Sequence, residues 1–99
     1  MRRGTTPTIT YSLPFDSASV RAAEITISCP GAAYISKGID DMTAKGNKLS
    51  VRLTQEETLR FRAGSNVSMQ IALRLSGGSC IRSKIHEELV TDALKGVPI

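Results

Sequence analysis

From Val67 to Leu75 the chain alternates without interruption, with Val67, Met69, Ile71, Leu73 and Leu75 set against Ser68, Gln70, Ala72 and Arg74. Residues two apart share one face of a β-strand, whereas on a helix that spacing scatters them around the axis. The segment is therefore a strand with one apolar face, and that face needs a cover. The same template fits Ile9, Tyr11 and Leu13 against Thr8, Thr10 and Ser12, and Leu49, Val51 and Leu53 against Lys48, Ser50 and Arg52. Ile25 and Ile27 flank Thr26 in a further run, and weaker runs cover Ala33 to Gly38 and Ile81 to Val90. Turn residues fall between the runs: Pro14, Pro30 with Gly31, Gly46 with Asn47, Gly64 to Asn66, and Gly77 with Gly78. No long helical pattern offers a cover, so the second layer must be another sheet. The expected fold is an all-β, small antiparallel β-sandwich of about seven strands. The core is expected to hold Tyr11, Leu13, Ile25, Ile27, Leu49, Val51, Met69, Ile71 and Leu73.

One or two short helical turns interrupt this pattern. Thr54 can cap the turn that follows Leu53 and Glu57 can return the bond, as in a capping box, with Leu59 and Phe61 packing beneath. A second turn is expected from Asp92 to Lys95, ahead of Gly96. Across Gly77 and Gly78, a two-residue loop would place Arg82 and Lys84 on the buried face. A three-residue loop of Gly77 to Ser79 instead pairs Leu75 with Ile81, Ile71 with Ile85 and Arg74 with Arg82.

With 99 residues the chain has room for one core, so residues 1–99 read as a single domain with residues 1–5 as a flexible arm. At 40% hydrophobic and 22% charged residues it lies outside the composition of disordered chains. The formal charge of +4 is modest, and the aromatics are only Tyr11, Phe15, Tyr34 and Phe61. That scarcity argues against a nucleic-acid module, which stacks bases on aromatic rings. No apolar stretch follows Arg2 and Arg3 to serve as an export signal, and no window reaches the roughly 18 apolar residues of a membrane span.

Candidate chemistry is thin. His86 is the single histidine, and no nucleophile elbow accompanies it. Asp40 and Asp41 lack the spacing of a calcium loop, Glu56 and Glu57 are absorbed by the capping box, and the Gly77–Gly78 pair lacks the lysine of a phosphate loop. Cys29 and Cys80 have neither a second pair nor a histidine nearby, and read as two buried small hydrophobes. No catalytic residue, cofactor or metal is expected, and the chain reads as a non-enzyme. Arg74, Arg82, Lys84 and Arg52 could form a basic outer strip, which is the basis of an alternative reading as a small nucleic-acid-binding or regulatory protein.

Three segments carry a family resemblance. They are Thr6-Pro7-Thr8-Ile9-Thr10-Tyr11-Ser12-Leu13-Pro14-Phe15-Asp16; Leu49 to Leu53 followed by Thr54-Gln55-Glu56-Glu57-Thr58-Leu59-Arg60-Phe61; and the close Leu94-Lys95-Gly96-Val97-Pro98-Ile99. Together they resemble the N-terminal domain of the upper baseplate protein of siphophage tails, and the related small phage and prophage proteins of Gram-positive bacteria. The resemblance implies a structural or assembly module that anchors to tail or baseplate proteins. It also implies assembly in the bacterial cytoplasm and incorporation into the virion. Unpaired strand edges must be charged, covered or used in binding. The first strand and the Ala33–Gly38 strand lack dense charge, so Thr8, Thr10, Ile35 and Lys37 are the expected contacts for a partner or for self-association. Arg74 and Arg82 are the contacts expected if binding is electrostatic.

Overall fold

The computed structural model describes residues 1–99. Eight strands alternate with tight turns: β1 (Thr8–Ser12), β2 (Val20–Cys29), β3 (Ala33–Gly38), β4 (Met42–Lys45), β5 (Lys48–Arg52), β6 (Asn66–Leu75), β7 (Cys80–Arg82) and β8 (His86–Leu89). A single α-helical turn, α1 (Gln55–Leu59), follows β5, and 3-10 turns span Ser17–Ser19 and Ile39–Asp41. The strands form two antiparallel sheets. One has the order β1-β5-β4; the other has the order β3-β2-β6, with β7 and β8 sharing the far side of β6. The protein is thus a small all-β sandwich.

Each expected core residue lies between the layers, with Tyr11 only half-buried at the margin. Ile25, Ile27, Met69 and Val51 pack with Leu53, Phe61, Val67 and Val90 toward the α1 end. Leu13, Val20, Leu49, Ile71 and Leu73 fill the opposite end. Phe61 is 2% exposed, as its expected place beneath the sandwich requires, whereas Leu59 stays at the margin. The capping box forms as read: Glu57 N–H donates to Thr54 Oγ1 at 3.1 Å and Thr54 N–H donates to Glu57 Oε1 at 2.8 Å. The fully buried Thr58 donates its hydroxyl to the Thr5 carbonyl at 2.9 Å, which ties the start of the chain to α1. Residues 1–5, read as an arm, also reach the end of β8. Arg2 bridges Thr91, and Arg3 donates to Asp92 Oδ1 at 2.6 Å and to the Leu59 carbonyl at 2.8 Å.

Four local expectations are corrected. The β6–β7 loop has three residues, but they are Ser76, Gly77 and Gly78, because Leu75 N–H donates to Ser79 O and Gly78 takes the positive φ of 90° that such a loop needs. Arg82 therefore faces Ala72 and Cys80 faces Arg74, and Arg74 and Arg82 are diagonal neighbours. The Ile81–Val90 run is not one strand. Ser83 pairs with Ile71 and His86 with Met69, so Lys84 and Ile85 together oppose Gln70 in a β-bulge. The bulge reverses the alternation, leaving Ile85 64% exposed and turning His86 and Glu88 to the inner side. β4 had no sequence signal, and Asp92 to Lys95 forms no helical turn. Of the two cysteines, Cys29 is buried but Cys80 is exposed, and both are free thiols. They lie at opposite ends of β6, Cys29 beyond Ser68 and Cys80 beside Arg74.

Candidate protein-binding edge

β1 and β3 are both outer strands of their sheets, but their environments differ. On β3 the Lys37 ammonium crosses to the other layer, meeting Glu57 Oε1 at 2.8 Å and the Arg52 carbonyl at 3.3 Å. Lys37 is therefore engaged within the fold. Burial pushes the Glu57 carboxyl pKa up, but the hydrogen bonds from Lys37 and Thr54 and the Lys37 charge outweigh it, holding the group below its ordinary value. Ile35 is corrected outright: at 5% exposure it is a core residue and offers no surface to a partner.

β1 carries no such crossing. Leu13 N–H donates to Asn47 O at 2.7 Å and Leu53 N–H donates to Pro7 O at 3.0 Å, which fixes the phase of the β1–β5 ladder. Ile9 and Tyr11 direct their backbone groups at β5, and Thr8, Thr10 and Ser12 direct theirs outward. The side chains of these three are exposed on the outer face, where Thr10 Oγ1 lies 3.0 Å from Ser50 Oγ. This free edge faces the other sheet's free edge, formed by β7 and β8. The register there leaves the backbone groups of Cys80, Arg82 and Glu87 pointing away from β6. An open seam separates the two edges.

Tyr11 divides this seam. Burial raises its phenol pKa, and the Ser83 side chain across the gap offsets part of that rise. On one side of the ring lies an apolar cavity of about 170 Å³, lined by Leu13, Pro14, Ile71, Leu73 and Ile81. On the other side Ile9 and Met69 meet His86 and Glu88. His86, the single imidazole, thus faces the seam, and no three His, Cys, Asp or Glu side chains converge there or elsewhere. The arrangement can accept an extended chain: β1 supplies the backbone partners, and inward side chains of the added strand would enter the seam on either side of Tyr11.

The proposed basic strip is split by the fold. Arg74 and Arg82 are exposed on the outer face of the larger sheet, around a shallow depression with Ala22, Glu24, Ala72 and Cys80. Arg52 lies on the outer face of the other sheet, where its guanidinium donates to Thr6 Oγ1 at 3.0 Å, and Lys84 sits in the bulge. Sequence reasoning named Thr8 and Thr10, which lie on the free edge of β1. It missed Ser12, Tyr11, Ile81 and His86 as seam residues, because the approach of β1 to β7 and β8 is a long-range outcome with no local pattern. No protein-family model, characterised protein or solved structure matches the chain. No helix is long and apolar enough to cross a membrane.

Proposed function

We propose that this chain is a non-enzymatic structural or assembly module of a phage or prophage tail, which binds a tail or baseplate protein by strand addition along β1. The observation that carries this reading is the uncharged free edge of β1 beside a seam that is apolar on one side of Tyr11. Three outward backbone positions, Thr8, Thr10 and Ser12, offer a partner strand its hydrogen bonds. One of the three segments that carry the family resemblance, Thr6 to Asp16, contains this strand. Assembly in the bacterial cytoplasm and a final place in the virion follow from the same reading.

The test is co-expression with the tail or baseplate proteins encoded beside its gene, followed by size-exclusion chromatography with light scattering. A stable complex that Thr10→Pro abolishes, while the variant stays folded, supports the reading. A neighbourhood of metabolic genes, or a complex indifferent to Thr10→Pro, overturns it.

A further inference from the structure

The outer face of the smaller sheet is electrically one-sided. Its outward side chains are Thr8, Thr10 and Ser12 on β1, Lys48, Ser50 and Arg52 on β5, and Thr43 and Lys45 on β4. Three cations stand there, and none of the chain's nine carboxylates lies on these strands. None of the three cations forms a salt bridge. Lys45 and Lys48 are moreover direct cross-strand partners, an arrangement of like charges that works against the sheet. The uncompensated charge and the free edge belong to the same sheet.

We infer that the strand added to β1 is an acidic, amphipathic one, with carboxylates opposite Thr8 and Ser12 and apolar residues between them. This rests on the β1 reading above and specifies its partner. The register dictates the spacing. Arg52 lies in the row of Thr8, and Lys48 with Lys45 lies in the row of Ser12, so the acidic positions fall four residues apart. A strand added to β1 stands two strand spacings, about 10 Å, from β5. Only short hydroxyl side chains intervene, so arginine or lysine from one side and glutamate from the other can meet above Thr8 and Ser12. The residues facing Ile9 and Tyr11 point inward, into the two halves of the seam, where apolar side chains can pack on Ile9 and Met69 on one side of Tyr11 and on Leu13, Ile71, Leu73 and Ile81 on the other. The central residue faces Thr10 and needs only to be small and polar. A basic or uncharged strand would satisfy the same backbone groups and leave the three cations as they are.

The probe is a fluorescein-labelled peptide, Val-Glu-Val-Thr-Val-Glu-Val, compared with its Val-Lys-Val-Thr-Val-Lys-Val counterpart by anisotropy at low and physiological salt. Binding is mapped by amide exchange on the whole chain. The acidic peptide is expected to bind at least about tenfold more tightly than the basic one and to slow exchange at Thr8, Thr10 and Ser12. The doubly substituted Lys48→Glu, Arg52→Glu chain should reverse that preference. Lys48→Glu turns the Lys45 contact into an opposite-charge pair, so this chain should remain folded, as an unchanged thermal midpoint would confirm. Equal binding of the two peptides at β1 overturns the acidic partner and leaves the edge reading standing. Binding that leaves the β1 amides unprotected, or maps to Arg74 and Arg82, overturns both. If neither peptide binds, the acidic strand is overturned, and the edge is judged by the effect of Thr10→Pro on the assembled complex.

Discussion

Removing the Glu57 side chain tests how the two sheets are held together at the β3 side. Its carboxylate closes the capping box on Thr54 and receives Lys37 from β3, both at 2.8 Å. The Thr54 hydroxyl keeps its bond from the Glu57 N–H, but the return bond from the Thr54 N–H is lost, at a cost of about 1 kcal/mol. An exposed ion pair would add between zero and about 1 kcal/mol, but the side chains of Lys37 and Glu57 are only 16% and 19% exposed. Stranding a largely covered ammonium therefore costs more, about 1–2 kcal/mol. Glu57→Ala should lose about 2–3 kcal/mol in denaturant titrations at pH 7, whereas Glu57→Gln, which keeps an acceptor for the Thr54 N–H, should lose about 1 kcal/mol. The pH dependence has a definite sign. The carboxyl is held below its ordinary value of 4.5, so its extra stabilisation is present above that value and fades as the pH falls through it toward the depressed folded value. The gap between the wild type and Glu57→Gln should close on acidification. A Glu57→Ala chain within about 0.5 kcal/mol of the wild type, or a gap unchanged between neutral and strongly acidic solution, would refute this account.

Thr10→Pro and Tyr11→Pro should part sharply although the positions are adjacent. Thr10 N–H points away from β5, so proline there leaves the ladder intact, while Tyr11→Pro removes a ladder bond and should cost about 3 kcal/mol by thermal melting. Ile35→Lys should unfold the chain or cost at least about 3 kcal/mol, against little change for Tyr34→Lys on the exposed face; equal midpoints would contradict the burial of Ile35. Cys80 should react with a thiol reagent in the native state and Cys29 only on unfolding, so two native thiols titrating at the same rate would be the contrary result.

The parts of the fold legible in the sequence are those where one strand carries its own pattern. Val67 to Leu75 declares its inward face because one face is wholly buried, and Thr54 with Glu57 declares the cap by local chemistry. Met42–Lys45 has one strongly apolar inward residue, Met42, and its pairing with β5 comes from the Gly46–Asn47 turn. The bulge at Lys84 and Ile85 was illegible for another reason. Ile81, Ile85 and Leu89 suit an unbroken strand on paper, but Ser83 takes the Ile71 N–H with its hydroxyl and gives that hydroxyl's proton to Lys84 O, a local arrangement that shifts the register. Ile35 was misjudged because low charge on an edge strand was read as exposure, yet an edge strand still buries its inner face. The proposed edge was half legible. Thr8 and Thr10 follow from alternation, but the seam opposite them depends on which strands end up as neighbours, and alternation carries no information about strand order.

Amide hydrogen exchange along β1, in the free chain and in its complex with the tail or baseplate protein proposed as its partner, bears most directly on the proposed edge. In the free chain Ile9, Tyr11 and Leu13 should exchange slowly and Thr8, Thr10 and Ser12 fast, a period-two pattern set by the β1–β5 ladder. In the complex the three fast amides should slow by at least about a hundredfold, the effect of closing a ladder on that side, since every 1.4 kcal/mol of added protection is tenfold. Unchanged exchange at Thr8, Thr10 and Ser12 in a complex that is nonetheless stable would contradict strand addition at β1.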